Sequence, residues 1–422
     1  MDKIKVVISA PVDTYSGYGA RSRDIVRSLL TLGKYDVKIL SQRWGNTSTG
    51  FLKDHKMSDI ATCIIPQLYE QPDVWIQITV PNEFQKVGKY NIGITAGIET
   101  TLTSLPWVEG CNRMDLILVS SNHSKNTFKQ TILRQKDQAG NIAREIKIDT
   151  PIEVLFEGVD LSKYFVTKSD FDLDAIDEQF CYLFVGHWLK GDHGHDRKNV
   201  SYLIKAFSET FKNKKNRPAL ILKAGLGPSS IMHQNILLSK IDAVRSTVKG
   251  NLPNIYLLDG DLSDQEMNSL YNHPKVKAMV SFTKGEGFGR PLLEFSVTNK
   301  PIIVSGWSGQ TDFLHKDYTK QVGGKLEQVH QSAVQKDVII PESMWFDPED
   351  VQVGKYLTEV YKGYKSMLVP AKRQGHRSRT EFSLEKMTEK LGDILDNSLP
   401  DFPKQLEINI PKLTLPKLNK IS

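Results

Sequence analysis

The sequence predicts an α/β protein built from two doubly wound domains, and three observations predict it. Short apolar runs alternate with helix-like segments along most of the chain, the pattern of strands joined by crossover helices in parallel sheets. The chain's 422 residues are about three times the usual length of one domain. A polar, acidic stretch without apolar periodicity, residues 160–179 (DLSKYFVTKSDFDLDAIDEQ), separates the apolar runs into two groups and reads as a linker.

Before that stretch the strand candidates are KVVISAPV, DVKIL, DVWIQITV, NIGITAG, DLILVSS and EVLFEGV. After it they are CYLFVG, ALILKAG, NIYLLDG, KAMVSF and KPIIVSG. Each group suffices for one doubly wound sheet, which places a first domain at 1–165 and a second at 166–375. Beyond Trp345 the pattern turns helical, with DPEDVQVGKYLTEVYKGYKSML followed by RTEFSLEKMTEKLGDIL. Residues 399–422 carry Pro400, Pro403, Pro411 and Pro416, so a solvated, extended tail is expected there, with docking as a strand as the alternative.

Hydrophobic residues make up 39% and charged residues 25%, ordinary for a soluble globular enzyme. No apolar run reaches the roughly 18 residues of a membrane-spanning helix. The opening MDKIKVVISAPVD lacks the features of a secretory leader, so a cytoplasmic location is expected. Cys63, Cys111 and Cys181 form no CxxC pair, which argues against a disulfide framework and a structural zinc site. The net charge of +6 is compatible with an anionic ligand or with nucleic acid. Nothing in the sequence specifies an oligomeric state.

The densest motif is Lys284-Gly285-Glu286-Gly287-Phe288-Gly289-Arg290-Pro291-Leu292-Leu293-Glu294, between a strand and a helix. Its glycines allow close backbone approach, and the helix start offers free N–H groups. Glu286 and Glu294 suit sugar and ribose hydroxyls, which donate hydrogen bonds. Taken alone, the spacing is equally that of a Gly-rich turn with an acid near a helix start.

The segment resembles the E-x7-E signature, EGFG-x-P-x-x-E, of the retaining GT-B-fold glycosyltransferases of family 4. Further blocks resemble that family in the same order: DLILVSSNHSKNTF, VLFEGVD, VGHWLKGDHGHDRKNVSYLIKAF, LILKAG, LSDQEMNSLY and PIIVSGWSGQTDFL. The resemblance covers roughly residues 4–370 and implies a GT-B fold, two Rossmann-like domains facing across a cleft. It also implies that a C-terminal helix, residues 376–398 here, crosses back to the first domain. The implied reaction is retaining transfer from a nucleoside-diphosphate sugar, a UDP-sugar above all, to a hydroxyl. No further cofactor and no catalytic metal are expected.

By the same resemblance, Glu286 meets the donor sugar beside its anomeric carbon. Backbone N–H groups of Gly287, Phe288 and Gly289 line the sugar, those near Arg290, Pro291 and Leu292 the diphosphate, and Glu294 holds the ribose. Lys198 neutralises the leaving diphosphate, where bond cleavage builds negative charge. Gly17, Tyr18 and Gly19 belong to the first-domain loop facing the donor phosphates. A dinucleotide fingerprint is not met there, because Ser22 and Leu40-Ser41-Gln42 replace the third glycine and the acid. The sequence departs from the family at one place: His187 stands where an Arg is usual. Either Arg197 compensates or His187 bonds the phosphate as a neutral ring. The loop Asp192-His193-Gly194-His195-Asp196 and the patterns Asp172-Leu173-Asp174 and Asp259-Gly260-Asp261 are read as solvated loops rather than metal sites.

Acceptor-side candidates are Glu99, which could orient the acceptor hydroxyl, and the polar liners Ser121 and Asn122. The N-terminal half and the Lys-Pro-Leu tail are similar to glycosyltransferases of T-even-type tailed phages. That similarity makes 5-hydroxymethylcytosine in duplex DNA one acceptor and partner, with saccharide, lipid-linked and protein hydroxyls as alternatives. A degenerate glycosyltransferase serving as a binding component is the non-enzyme alternative.

Overall fold

The computed structural model describes residues 3–138, 140–227 and 230–402, and the expected tail lies from residue 403 onward outside them. The first domain contains β1 (Ile4–Ala10), β2 (Tyr35–Ser41), β3 (Val74–Ile78), β4 (Tyr90–Thr95), β5 (Leu116–Val119), a hairpin of β6 (Leu133–Lys136) and β7 (Ile142–Ile146), and β8 (Ile152–Val154). Six of these form a parallel sheet in the order β2-β1-β3-β4-β5-β8. The second domain contains β9 (Cys181–His187), β10 (Ala219–Gly225), β11 (Ile255–Leu258), β12 (Val276–Ser281), β13 (Ile302–Ser305) and β14 (Lys320–Val322), parallel in the order β11-β10-β9-β12-β13-β14. Two more strands, β15 (Gly324–Gln328) and β16 (Met344–Pro348), pair antiparallel outside both sheets. The architecture is the expected pair of doubly wound domains, and each of the eleven strand candidates contributes to a sheet.

Both sheets are covered on their two faces by helices, which explains why runs such as Cys181-Tyr182-Leu183-Phe184 are apolar without alternation and wholly buried. In each sheet the chain winds outward from a central strand, first one way and then the other. The switch falls between β1 and β3 in the first domain and between β9 and β12 in the second. Crevices for ligands open at the carboxyl ends of the strands at such points.

Residues 160–179 are packed rather than free: Tyr164, Leu173 and Ile176 join the second domain's core. The helix Tyr364–Glu381 also packs on the second domain, where Gln374 donates to the Phe313 carbonyl at 2.9 Å. The chain then returns beside Val159 and enters the helix Leu384–Ser398. Met387, Leu391 and Leu395, four apart on one face, complete the first domain's core. Their burial stabilises this return by about 1.5–3 kcal/mol per side chain. Among the described residues no helix is long and apolar enough to cross a membrane.

Candidate functional site

The two switch points face each other. From the second domain come the end of β9, the residues Arg197-Lys198 before the helix Val200–Phe211, and the loop 282–289 after β12. From the first come the loop after β1 and residues 96–99 after β4. The approach is close enough to require glycine. A Cβ on Gly285 would strike the Glu99 carbonyl, and one on Gly287 the Ala96 carbonyl.

Glu286 sits at the centre of this contact. Its Oε1 accepts from Lys198 Nζ at 2.6 Å, and its Oε2 lies 3.4 Å from Arg197 Nη1. Its backbone N–H donates to Ser308 Oγ at 2.9 Å, and Ser308 holds a left-handed φ of 72° that costs a serine of order 1–3 kcal/mol. Lys198 is aimed by its neighbour. Asn199 has a φ of 55°, and its side-chain amide donates to the Phe282 carbonyl at 3.1 Å. Burial would raise the Glu286 carboxyl, but Lys198 and Arg197 together hold it below the ordinary value. Burial draws the Lys198 ammonium down in spite of Glu286.

Arg197 does not turn toward His187. Its Nη1 lies 3.4 Å from Glu99 Oε1 and donates to the Gly285 carbonyl at 2.9 Å, so one guanidinium spans a first-domain and a second-domain carboxylate. Burial lowers the His187 ring below its ordinary value and the neighbouring Lys198 charge lowers it further. At neutral pH His187 is therefore a neutral hydrogen-bonding group beside Lys198.

Around Glu286, the N–H groups of Gly287, Phe288 and Gly289 have no hydrogen-bond partner among the described residues. Buried N–H groups are nearly always paired, so this run is poised for acceptor oxygens of a ligand. Leu292 N–H is already given to the Gly289 carbonyl, and Pro291 has none to give. The Phe288 ring packs against Phe313 at 4.8 Å.

Glu294 is buried with Arg290, whose Nε meets its Oε1 at 2.9 Å. Arg290 also reaches the first domain, pairing with Asp24 and standing 3.7 Å from Glu157. Burial pushes the Glu294 carboxyl up to about 7, with Arg290 opposing and Asp264 adding to the rise.

On the first-domain side, Ser16 caps the helix Gly17–Leu32 by accepting from Gly19 N–H at 2.9 Å, and Gly17 has open space where a side chain would be. The Tyr18 hydroxyl is committed to Thr95 Oγ1 at 2.9 Å and to Ala96 N–H at 3.2 Å, which fixes the end of β4. The Tyr18 ring stacks on Trp44 at 3.9 Å. Trp44, Gly17, His187, Leu226 and Asp261 line a cavity of about 530 Å³ between the domains. Ser121 caps the helix Asn122–Gln130, and Asn122 N–H donates across the cleft to Asp312 at 2.7 Å. The histidine-aspartate loop is occupied structurally, since Asp196 accepts from Val200 N–H at 3.2 Å and the His195 ring stacks on His330.

The structure thus gathers Glu286, Lys198, Arg197 and Glu99 into one charged cluster, and Arg290 with Glu294 into a second. Asp24, Glu157, Ser308, Asp312 and Trp44 belong to these surroundings and escaped the sequence reading. Ser308 follows a strand within a block already noted, and its place after Trp307 is the only local signal it offers.

No protein-family model matches the sequence, and no curated protein sequence matches it. Solved structures do share its fold. Anabaena HepE in complex with UDP-glucose superposes with a TM-score of 0.61 at 12% identity, over 93% of this chain and 100% of that one. A glycosyltransferase from Rickettsia africae gives 0.61 at 13% identity over 95% and 100%. Sucrose-phosphate synthase from Thermosynechococcus elongatus gives 0.59 at 12% over 94% and 99%. The likeness is one of fold, and the fold is GT-B.

Proposed function

We propose that this protein is a retaining glycosyltransferase that moves a sugar from a UDP-sugar to a hydroxyl acceptor. The observation that carries the reading is Glu286, held by Lys198 beside three unused N–H groups at the carboxyl ends of β9 and β12. The fold it shares with HepE, which was solved with UDP-glucose, supports the choice of donor.

In this reading the diphosphate enters between the Gly17 loop and the Gly289–Arg290 turn. Lys198 turns from Glu286 to the phosphate, and His187 adds a neutral hydrogen bond. The bond between the anomeric carbon and the phosphate oxygen breaks with its electron pair going to the diphosphate. The acceptor oxygen bonds to that carbon on the same face and passes its proton to the departing phosphate. Glu286, held between two cations, orients the sugar hydroxyls rather than attacking the carbon. Lys198 supplies most of the electrostatic assistance, aimed at the oxygen where charge develops. Glu99 orients the acceptor, and Glu294 receives the ribose hydroxyls. The chemistry uses the nucleotide sugar as co-substrate and calls on no metal.

Duplex DNA carrying hydroxymethylcytosine is the acceptor to test first, since a net charge of +6 favours association with a polyanion. UDP release from UDP-glucose with that DNA, with unmodified DNA and with a saccharide panel decides it. Stimulation confined to hydroxymethylated DNA supports a DNA acceptor, and stimulation by saccharides alone rejects it.

A further inference from the structure

Residues 324–348 leave the frame of the second sheet. β15 and β16 pair, and Val329, Ala333 and Ile339 from the chain between them form a small core with Trp345 of β16. This excursion touches all three segments that carry the charged cluster.

The first is the loop after β12. Lys284, directly before Gly285, has a side chain only 1% exposed and pairs with Glu327 at 2.7 Å and Asp347 at 3.1 Å. Its carbonyl accepts from Phe346 N–H at 2.9 Å. The second is the loop leading to Arg197 and Lys198, where Asp192 N–H donates to Ser332 Oγ at 2.9 Å and His195 stacks on His330 at 4.0 Å. The third belongs to the other domain and follows Glu99. Thr101 N–H donates to the Met344 carbonyl at 2.9 Å, Met344 N–H donates to Thr101 Oγ1 at 2.9 Å, and Ser104 Oγ donates to the Asp337 carbonyl at 2.7 Å.

Ser104 stands at the N-cap of the helix Leu105–Cys111, yet its side chain makes no capping bond. Its hydroxyl is given to the excursion instead. Arg197 meets Glu99 only at 3.4 Å, a long contact for an ion pair, whereas the bonds at Thr101 and Ser104 are short.

We propose that residues 324–348 form a strap that sets Glu99 against Glu286 and Lys198, making Thr101 and Ser104 positioning residues for the transfer step. The inference rests on the nucleotide-sugar reading. The second domain holds the donor, while Glu99 comes from the first. A loosened strap therefore leaves donor binding intact and misplaces the group that orients the acceptor, and small misplacements are costly to rate.

The test compares wild type, Ser104→Ala, Thr101→Val/Ser104→Ala and Ser104→Thr, with UDP-glucose as donor and water as acceptor. The alanine-containing variants are expected to lose about tenfold in kcat with KM within about twofold, and Ser104→Thr to regain most of the loss. Amide hydrogen exchange over residues 98–104 is expected to rise in them while residues 284–286, whose N–H groups are bonded to the Arg197 carbonyl, Thr283 and Ser308, stay protected. Unchanged exchange over 98–104, or kcat and KM moving together, overturns the strap. The single Ser104→Ala variant keeps the test decisive if the double variant unfolds. A wild type that releases no UDP counts against the donor reading, and the exchange measurement still reports on the strap by itself.

Discussion

Lys198 Nζ and Glu286 Oε1 lie 2.6 Å apart although 88 positions separate the two residues in the chain. Lys198 comes from the turn after β9 and Glu286 from the loop after β12, neighbouring strands on either side of the switch point. Replacing Glu286 leaves the buried Lys198 without its carboxylate, and replacing Lys198 leaves Glu286 only the longer contact with Arg197 at 3.4 Å. Lys198→Ala is expected to lower turnover by about 100-fold, the scale of removing one donor from a site of developing charge. Glu286→Ala is expected to cost at least about tenfold. Steady-state kinetics with circular dichroism on both variants checks this, and near-wild-type rates in both remove the pair from the chemistry.

The Glu294 carboxyl, raised to about 7, gives donor binding a pH dependence. In the proposed donor site, ribose hydroxyls would donate to the ionised carboxylate, so binding the nucleotide would take the proton off. Donor KM is therefore expected to fall as pH rises from 6 to 8, and Glu294→Gln to flatten that slope. For folding the sign is opposite. A carboxyl raised in the folded chain binds a proton the unfolded chain has lost, so its contribution to stability is largest at low pH and disappears as pH rises through about 7. Calorimetry of UDP binding in buffers of different ionisation enthalpy reads the proton release directly.

Gly287 faces the Ala96 carbonyl so closely that a methyl group cannot fit between them. Gly287→Ala is expected to hold the domains apart. Turnover should fall by about tenfold or more, while thermal stability changes by no more than a few degrees, because the added group meets the other domain rather than its own core. Small-angle scattering with and without UDP measures the opening. An unchanged envelope with full activity contradicts the closed approach of these two loops.

Arg290 joins Glu294 to Asp24 of the first domain. Asp24→Asn is expected to raise donor KM severalfold with little effect on kcat, because it loosens the arginine that holds Glu294, the carboxylate proposed to receive the ribose. Kinetics on the variant test this, and a selective loss of kcat would assign Asp24 elsewhere.

Much of this was legible in the sequence for identifiable reasons. Strands buried on both faces announce themselves as unbroken apolar runs, so every strand candidate lies in a sheet. The short β6 and β14 (Leu-Arg-Gln-Lys and Lys-Gln-Val) and the largely exposed β7 carry no such run. Residues 160–179 read as a linker because Tyr164, Leu173 and Ile176, although buried, are too irregularly spaced to show a period. Glu286, Lys198, Arg290 and Glu294 were singled out through motifs and the family resemblance they carry. Their surroundings were not, because Asp24 and Glu157 meet Arg290 across the cleft and Ser308 meets Glu286 across strands, at separations no local pattern encodes. Arg197 was one of two candidates, with a neutral His187, to stand in for the family's phosphate arginine, and only the fold reveals that it bridges Glu99 and Glu286. The strap is aperiodic, and its bonds run largely through main-chain atoms, which side-chain identity does not report.

Nucleotide release from UDP-, GDP- and ADP-sugars, measured for wild type and for Lys198→Ala in parallel with hydroxymethylated duplex DNA, plain duplex DNA and saccharides as acceptors, decides whether this chain is a transferase. Release from a UDP-sugar is expected, stimulated by one acceptor class and reduced about 100-fold in Lys198→Ala. Absence of release from every donor, or release indifferent to Lys198, would contradict that role.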